Sequence, residues 1–235
     1  MSRLDIYRTA LLATDLAVQA EDISAALDER GPEFAGFIVD HGLGPTWHVR
    51  TGRDEFRESR MTAEALFLLQ QNALQEIDAA LSDQGISYVV IKGAANRLLL
   101  YDNPAIRACH DLDILVRHGD RVAAAKLLTG LGYEALPERR SIGRELMLRR
   151  NDITIDLHWK LLRSGRLRHE FVDDILAARR RIGDIWVPCA EDTLFLLLVH
   201  PAFAKHLAGW GMGLHRVVDV YAWLVGQDTD WPGVA

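Results

Sequence analysis

The run Asp111-Leu112-Asp113-Ile114-Leu115-Val116 sets two carboxylates two residues apart inside an otherwise apolar segment. Side chains alternate along a strand, so Asp111 and Asp113 share one face, while Leu112, Ile114 and Val116 take the other. Two unit charges about 4 Å apart repel by roughly 4 kcal/mol at an effective dielectric near 20. A divalent cation is the natural neutraliser of such a pair. The same repulsion implies that Asn at either position leaves the metal-free fold no less stable.

Upstream, Tyr88-Val89-Val90-Ile91 reads as a short buried strand that breaks at Lys92-Gly93 and opens a helix, because β-branched and aromatic residues give way to Ala, Leu and Arg. Such a junction seats phosphate: the helix N-terminus presents unpaired N–H groups, Gly93 admits a ligand close to the backbone, and Lys92 adds a charge. Asp102-Asn103-Pro104 then stops the helix. Arg107, four residues before Asp111, has the planar fork that clamps phosphate. Further on, Asn151 to Trp159 alternates strictly. Ile153, Ile155 and Leu157 face the core, so Thr154, Asp156 and His158 share the opposite face. A third carboxylate therefore stands on its own strand.

The remaining sequence supplies scaffold. Residues 1–85 read as a helical region, in which Leu66, Leu69, Ala73, Ile77, Ala80 and Leu81 mark one buried face and Gln70, Gln71, Gln75 and Glu76 the wet one. His41, Trp47 and His48 lie there without chemistry around them. Residues 86–160 form a core of strands and helices, with Asp120 to Leu131 helical and a charged connection from Glu138 to Arg150. Five arginines of that connection, Arg139, Arg140, Arg144, Arg149 and Arg150, are candidates to meet a polyanion. Residues 161–235 return to helix: Glu170 to Arg181 as one helix, Ile182 to Pro188 as a strand interrupted by Asp184, then an apolar helix from Thr193 to Val199 capped by Asp192. His200, His206, His215 and Asp219 match no compact zinc spacing. The whole is α+β, a small mixed sheet flanked by N-terminal and C-terminal helices.

A net charge of −6 excludes a broad nucleic-acid surface, and no apolar run approaches the ~20 residues that span a bilayer. Cys109 and Cys189 match no zinc spacing and read as free thiols, which suits a cytoplasmic protein.

Taken together, Lys92-Gly93, Arg107, Asp111-Leu112-Asp113 and Asp156 in Ile155-Asp156-Leu157-His158-Trp159 resemble the uncharacterised nucleotidyltransferase family of the polymerase-beta-like superfamily. The resemblance runs from about Gly85 to His200. That superfamily usually carries Gly-Ser where this chain has Gly93-Ala94, and its spacer to the Asp pair is usually shorter.

The resemblance implies transfer of an NMP from an NTP to an acceptor, with Mg²⁺ or Mn²⁺ held by Asp111, Asp113 and Asp156 as the catalytic carboxylates. It further implies that Lys92, Gly93, Ala94, Arg107 and His158 bind the nucleotide, Lys92 standing in for the missing Ser hydroxyl. The acceptor is left open among a small molecule, a peptide or protein, and tRNA. Relatives that continue past the helix approached by Thr229 to Ala235 imply a shortened chain. Two other classes compete. A metal-dependent nuclease needs a Lys two residues after its second acid, where this chain has His158. A catalytically silent nucleotide-binding or protein-interaction module fits the loss of the Ser hydroxyl at Ala94.

Overall fold

The computed structural model describes residues 3–136, 145–162, 165–203 and 213–226. Five helices come first: α1 (Arg3–Ala10), α2 (Ala20–Arg30), α3 (Pro32–Asp40), α4 (Gly44–Thr51) and α5 (Arg57–Asp83). Trp47 of α4 is fully buried among Ile23, Phe34, Ile38 and Phe56, and its indole N–H donates to the carbonyl of Ala10. A Trp can be buried at low cost only when its N–H finds such a partner.

The long α5 then carries the chain under a sheet. Its buried face is Ala63, Gln70, Ala73, Leu74, Ile77 and Leu81, whereas Leu69 is 47% exposed. This face is rotated from the one that apolar spacing predicts. Gln70 explains it: fully buried, it donates its side-chain amide to the carbonyl of Cys109, so a polar group replaces an apolar one where a loop backbone needs a donor.

The sheet follows from β1 (Tyr88–Ile91), α6 (Lys92–Leu100), β2 (Asp111–Val116), α7 (Arg121–Gly130), β3 (Glu134–Ala135), β4 (Glu145–Arg150) and β5 (Ile153–His158). Its strand order is β1-β2-β5-β4-β3; β2 and β5 run parallel and the other pairs antiparallel. Leu112, Ile114, Val116, Ile155 and Leu157 turn to one face and join Ala73, Leu74, Ile77 and Leu81 of α5 in a single core. The register sets Asp113 opposite Asp156 and Asp111 opposite Thr154 on the other face.

Part of the charged connection is strand: Leu148 of β4 is fully buried. Arg150 pairs with Glu76 and stacks on Tyr133, and Arg149 bonds the carbonyl of Asn151. Arg150 is thus engaged within the chain, whereas Arg149 is exposed and bonded through Nε alone; Arg139, Arg140 and Arg144 lie outside the described residues.

Next come α8 (Val172–Ala178), the hairpin β6 (Arg180–Ile182) and β7 (Ile185–Val187), α9 (Ala190–Phe203) and α10 (His215–Gly226). The expected helix to Arg181 ends three residues early. Asp184 forms the hairpin turn together with Gly183, whose φ of 56° is left-handed, where sequence alone suggests one broken strand. Asp192 sits inside the first turn of α9, which starts before the expected Thr193. Leu214 and Val218 pack into the same cluster as Trp47, so α10 closes onto the N-terminal helices. Among the described residues no helix is long and apolar enough to cross a membrane.

His215 marks this closure. Its backbone N–H and its Nδ1–H both donate to the carbonyl of His41, at 3.3 and 3.2 Å, with the ring lying against Gly42 and Gly213. Burial, with the nearby Arg107 charge, lowers its pKa to about 4. The unfolded chain takes up this proton near pH 6.5 and the folded chain only near 4, so stability falls as pH drops between them. His215→Asn keeps a donor near Nδ1 but cannot titrate. Urea unfolding at pH 7 and pH 5 should show the parent losing up to about 2 kcal/mol more than the variant over that interval.

Candidate active site

Asp113 is the centre of the polar face. It is 3% exposed on β2 and its Oδ1 accepts from Lys92 Nζ at 2.5 Å and from His158 Nε2 at 2.7 Å. Lys92 opens α6 with a φ of 56°, a left-handed conformation that a non-glycine residue holds only where its surroundings impose it. Those surroundings include the two contacts of its ammonium, to Asp113 and, at 3.2 Å, to His158. The other ring nitrogen of His158, Nδ1, lies 3.2 Å from Glu145 Oε2 on β4.

The titrations follow from this packing. Burial pushes the Asp113 carboxyl up, but Lys92 and His158 outweigh it and hold the group well below the usual carboxylate range. Burial and the Lys92 charge push the His158 imidazole down, yet its bonds to Asp113 and Glu145 raise it above its ordinary value. Asp156 has the opposite fate. Burial, with the Asp113 charge, pushes it up to about 6, and its Oδ1 is buried without a hydrogen-bond partner. Asp111 is likewise raised, by burial and then by Asp113.

A ligand atom from each of Asp113, Asp156 and His158 falls within a group no wider than 4.8 Å. Two carboxylates, one with a buried oxygen lacking any partner, form a donor set that fits a hard divalent cation. Of the expected ligands, Asp113 and Asp156 are brought together in this group, and Asp111 stands beside it on the same face. His158, expected at the nucleotide, is instead bonded to Asp113 and Glu145. Lys92, expected on phosphate, lies on Asp113.

Gly93 and Ala94 form the first turn of α6, and Ala94 is fully buried. A Cβ on Gly93 would stand 2.9 Å from Arg107 Nη1 and 3.0 Å from Cys109 Sγ, so no larger residue fits without displacing what lies behind it. Arg107 is the chief departure from expectation. Rather than presenting its fork to a phosphate, it is buried and donates from Nε and Nη2 to the two oxygens of Asp219, at 3.1 and 2.6 Å, and from Nη1 to the Ala108 carbonyl. Asp219 also accepts from Asn96 and Tyr101. The sequence signal for this is a lone carboxylate in the apolar stretch Val217-Val218-Asp219-Val220 of α10, which reads as a buried charge awaiting a partner. His206 lies outside the described residues, and the His200 side chain likewise.

Two stability effects of opposite sign follow in metal-free buffer. Asp156→Asn removes a charge that burial and Asp113 disfavour more than Lys92 and His158 offset, and should raise stability by about 1–2 kcal/mol after discounting for solvent. Asp113→Asn strands Lys92 and His158 and should lower it by about 2–3 kcal/mol, contrary to the repulsion argument from sequence. Urea midpoints in the presence of a chelator decide both. Breaking the deeper pair by Asp219→Ala should cost about 3–5 kcal/mol in the same experiment.

Comparison with known proteins agrees with this architecture. Superposition on the crystal structure of ANT(2'')-Ia in complex with adenylyl-2''-tobramycin gives a TM-score of 0.50 at 11% identity, covering 67% of this chain and 89% of that one. A solution structure of the antibiotic-resistance factor ANT(2'')-Ia gives 0.47 at 10% identity over the same shares. At such identity the likeness concerns the fold alone. No protein of curated function matches the chain. The profile described as uncharacterised nucleotidyltransferase, in contrast, matches residues 48–235, a span that holds α5, the whole sheet and every residue of the carboxylate cluster. The chain thus belongs to the uncharacterised nucleotidyltransferase family.

Proposed function

We propose that this protein transfers a nucleoside monophosphate from an NTP to a hydroxyl or phosphate of an acceptor, releasing pyrophosphate. One observation carries the reading: Asp113 and Asp156 share a rung of parallel strands, with a buried, unpartnered oxygen on Asp156, beside the strand-to-helix turn at Lys92-Gly93. Mg²⁺ or Mn²⁺, held by Asp113 and Asp156 with Asp111 adjoining, would neutralise the triphosphate and make the acceptor oxygen more acidic.

The chain's own groups do the rest. The acceptor oxygen bonds to the α-phosphorus as the bond to the β-phosphate oxygen breaks, and the acceptor proton goes to Asp156, the carboxylate of the pair with an oxygen unpartnered within the chain. Lys92 neutralises Asp113 in the free protein and supplies the ammonium closest to a polyphosphate seated on the amides of Gly93 and Ala94. His158, fixed by Glu145, keeps Asp113 ionised and oriented. Arg107 acts from behind, holding the turn rather than the nucleotide. A cytoplasmic setting supplies the NTP and the cation. The acceptor is a small molecule, a peptide or protein, or tRNA; the neighbour solved with adenylyl-2''-tobramycin carries a nucleotidylated small molecule on this fold.

The test is incubation with each NTP labelled on the α-phosphate, with Mg²⁺ or Mn²⁺ and a cell extract. Label should reach an acceptor and pyrophosphate should appear, both only with metal. Asp113→Asn and Asp156→Asn should reduce transfer by on the order of a hundredfold or more, since even groups behind metal ligands are worth about 10–100-fold. Lys92→Met should weaken NTP binding with the fold retained. Transfer of γ-label without α-label would make the protein a kinase, and NTP binding without any turnover would make it a silent nucleotide-binding module.

A further inference from the structure

Arg97, one turn beyond Gly93 on α6, has no counter-charge among the described residues. It is 1% exposed, its Nε is buried with no hydrogen-bond partner, and its guanidinium lies over the ring of Phe67 at 4.8 Å. Among the described residues its electrostatic neighbours are the thiol of Cys109 and the like charge of Arg107, and no carboxylate is paired with it. A buried, unpaired cation is costly, and Arg cannot shed its charge as a buried Lys does. Folded proteins tolerate such a group where something else supplies the anion.

The surroundings show where that anion would sit. Arg97 lines a cavity of about 210 Å³ between α5, α6 and the β6–β7 turn, which opens to solvent. Leu74, Leu98, Ile182 and Ile185 give it apolar walls, and Gln71 and Gln75 lie along α5 with polar side chains. Asp184 contributes a carboxylate to the lining, tied to Gln75 at 3.1 Å rather than to Arg97. None of these residues belongs to the carboxylate cluster, so the cavity is a separate feature. A few polar groups in an apolar cleft, one of them a charge fixed in place, are the make-up of a small-molecule site.

We propose that this cavity binds a small organic anion, with Arg97 taking a carboxylate or phosphate head and Leu74, Leu98, Ile182 and Ile185 its apolar body. The fork geometry of a guanidinium serves either head group. Selectivity would come from both halves: an anion without an apolar part gains little from the walls, and a neutral aromatic leaves Arg97 unpaired.

The test uses the whole chain with three probes, benzoate, phenyl phosphate and the neutral benzamide, followed by calorimetric titration and thermal unfolding. Benzoate or phenyl phosphate at ten times its Kd should raise the melting temperature by about 3–6 °C, and benzamide at the same concentration should give a far smaller shift. Whichever anion binds tighter names the head group. Arg97→Met keeps most of the stem volume and removes the lone charge, so it should melt no lower than the parent without ligand and should lose the anion-induced shift. Ile182→Trp fills the cavity while leaving Arg97 in place, and should also lose the shift; it decides the matter if the Arg97 variant does not fold. Neither anion binding the parent, benzamide matching them, or both variants keeping the full shift would overturn the proposal.

Discussion

Two carboxylates held on one rung of a parallel strand pair cannot relax apart, and the polar half of this structure is arranged around that fact. β2 and β5 fix Asp113 opposite Asp156 through backbone pairing alone. The surrounding groups then divide the two unequally. Lys92 and His158 converge on Asp113 and keep it ionised, whereas Asp156 keeps a buried oxygen without a partner. One acid is satisfied from within the chain and the other is not. That asymmetry pushes the titrations of two like groups apart, one down and one up, from environment alone.

Behind this layer a second ion pair supports the first. Arg107 and Asp219 are both almost completely buried, with a bidentate contact and two further bonds to Asp219 from Asn96 and Tyr101. Full use of hydrogen-bonding capacity is what makes a buried pair tolerable, since attraction alone need not offset desolvation. The pair joins the loop before β2 to α10, while Leu214 and Val218 join α10 to the Trp47 cluster. Gly93 lies on top of the guanidinium. The turn proposed to seat phosphate is thereby shaped by a contact to a helix distant in sequence.

How much of this the residues reveal on their own depends on how local the cause is. Strict alternation in Ile153 to His158 and the paired acids in β2 determine which face each side chain takes, so the shared polar face of Asp113 and Asp156 is legible in the amino-acid sequence. The α+β class follows for the same reason. Long-range partners are not legible. Arg107 reads as a phosphate fork because nothing near it in sequence reveals Asp219, and Gln70 reads as solvent-facing because nothing near it reveals the Cys109 carbonyl. Apolar periodicity misplaces the buried face of α5 by trusting Leu69 over Gln70, a case in which one polar side chain that supplies a needed donor outranks one apolar residue. The hairpin at Gly183-Asp184 escapes a sequence reading because its two short strands show no period.

The 112 residues separating Arg107 from Asp219 also have a temporal meaning. At ~5–20 residues per second on the ribosome, Arg107 is made roughly 6–20 seconds before its counter-ion exists. From the completion of β5 onward a nascent chain can pair its central strands, but it has no Asp219 carboxylate with which to close the loop beneath Gly93. The turn at Lys92-Gly93 is therefore completed only once α10 has been made, and a chain stopped before Asp219 carries the sheet without the ion pair behind that turn.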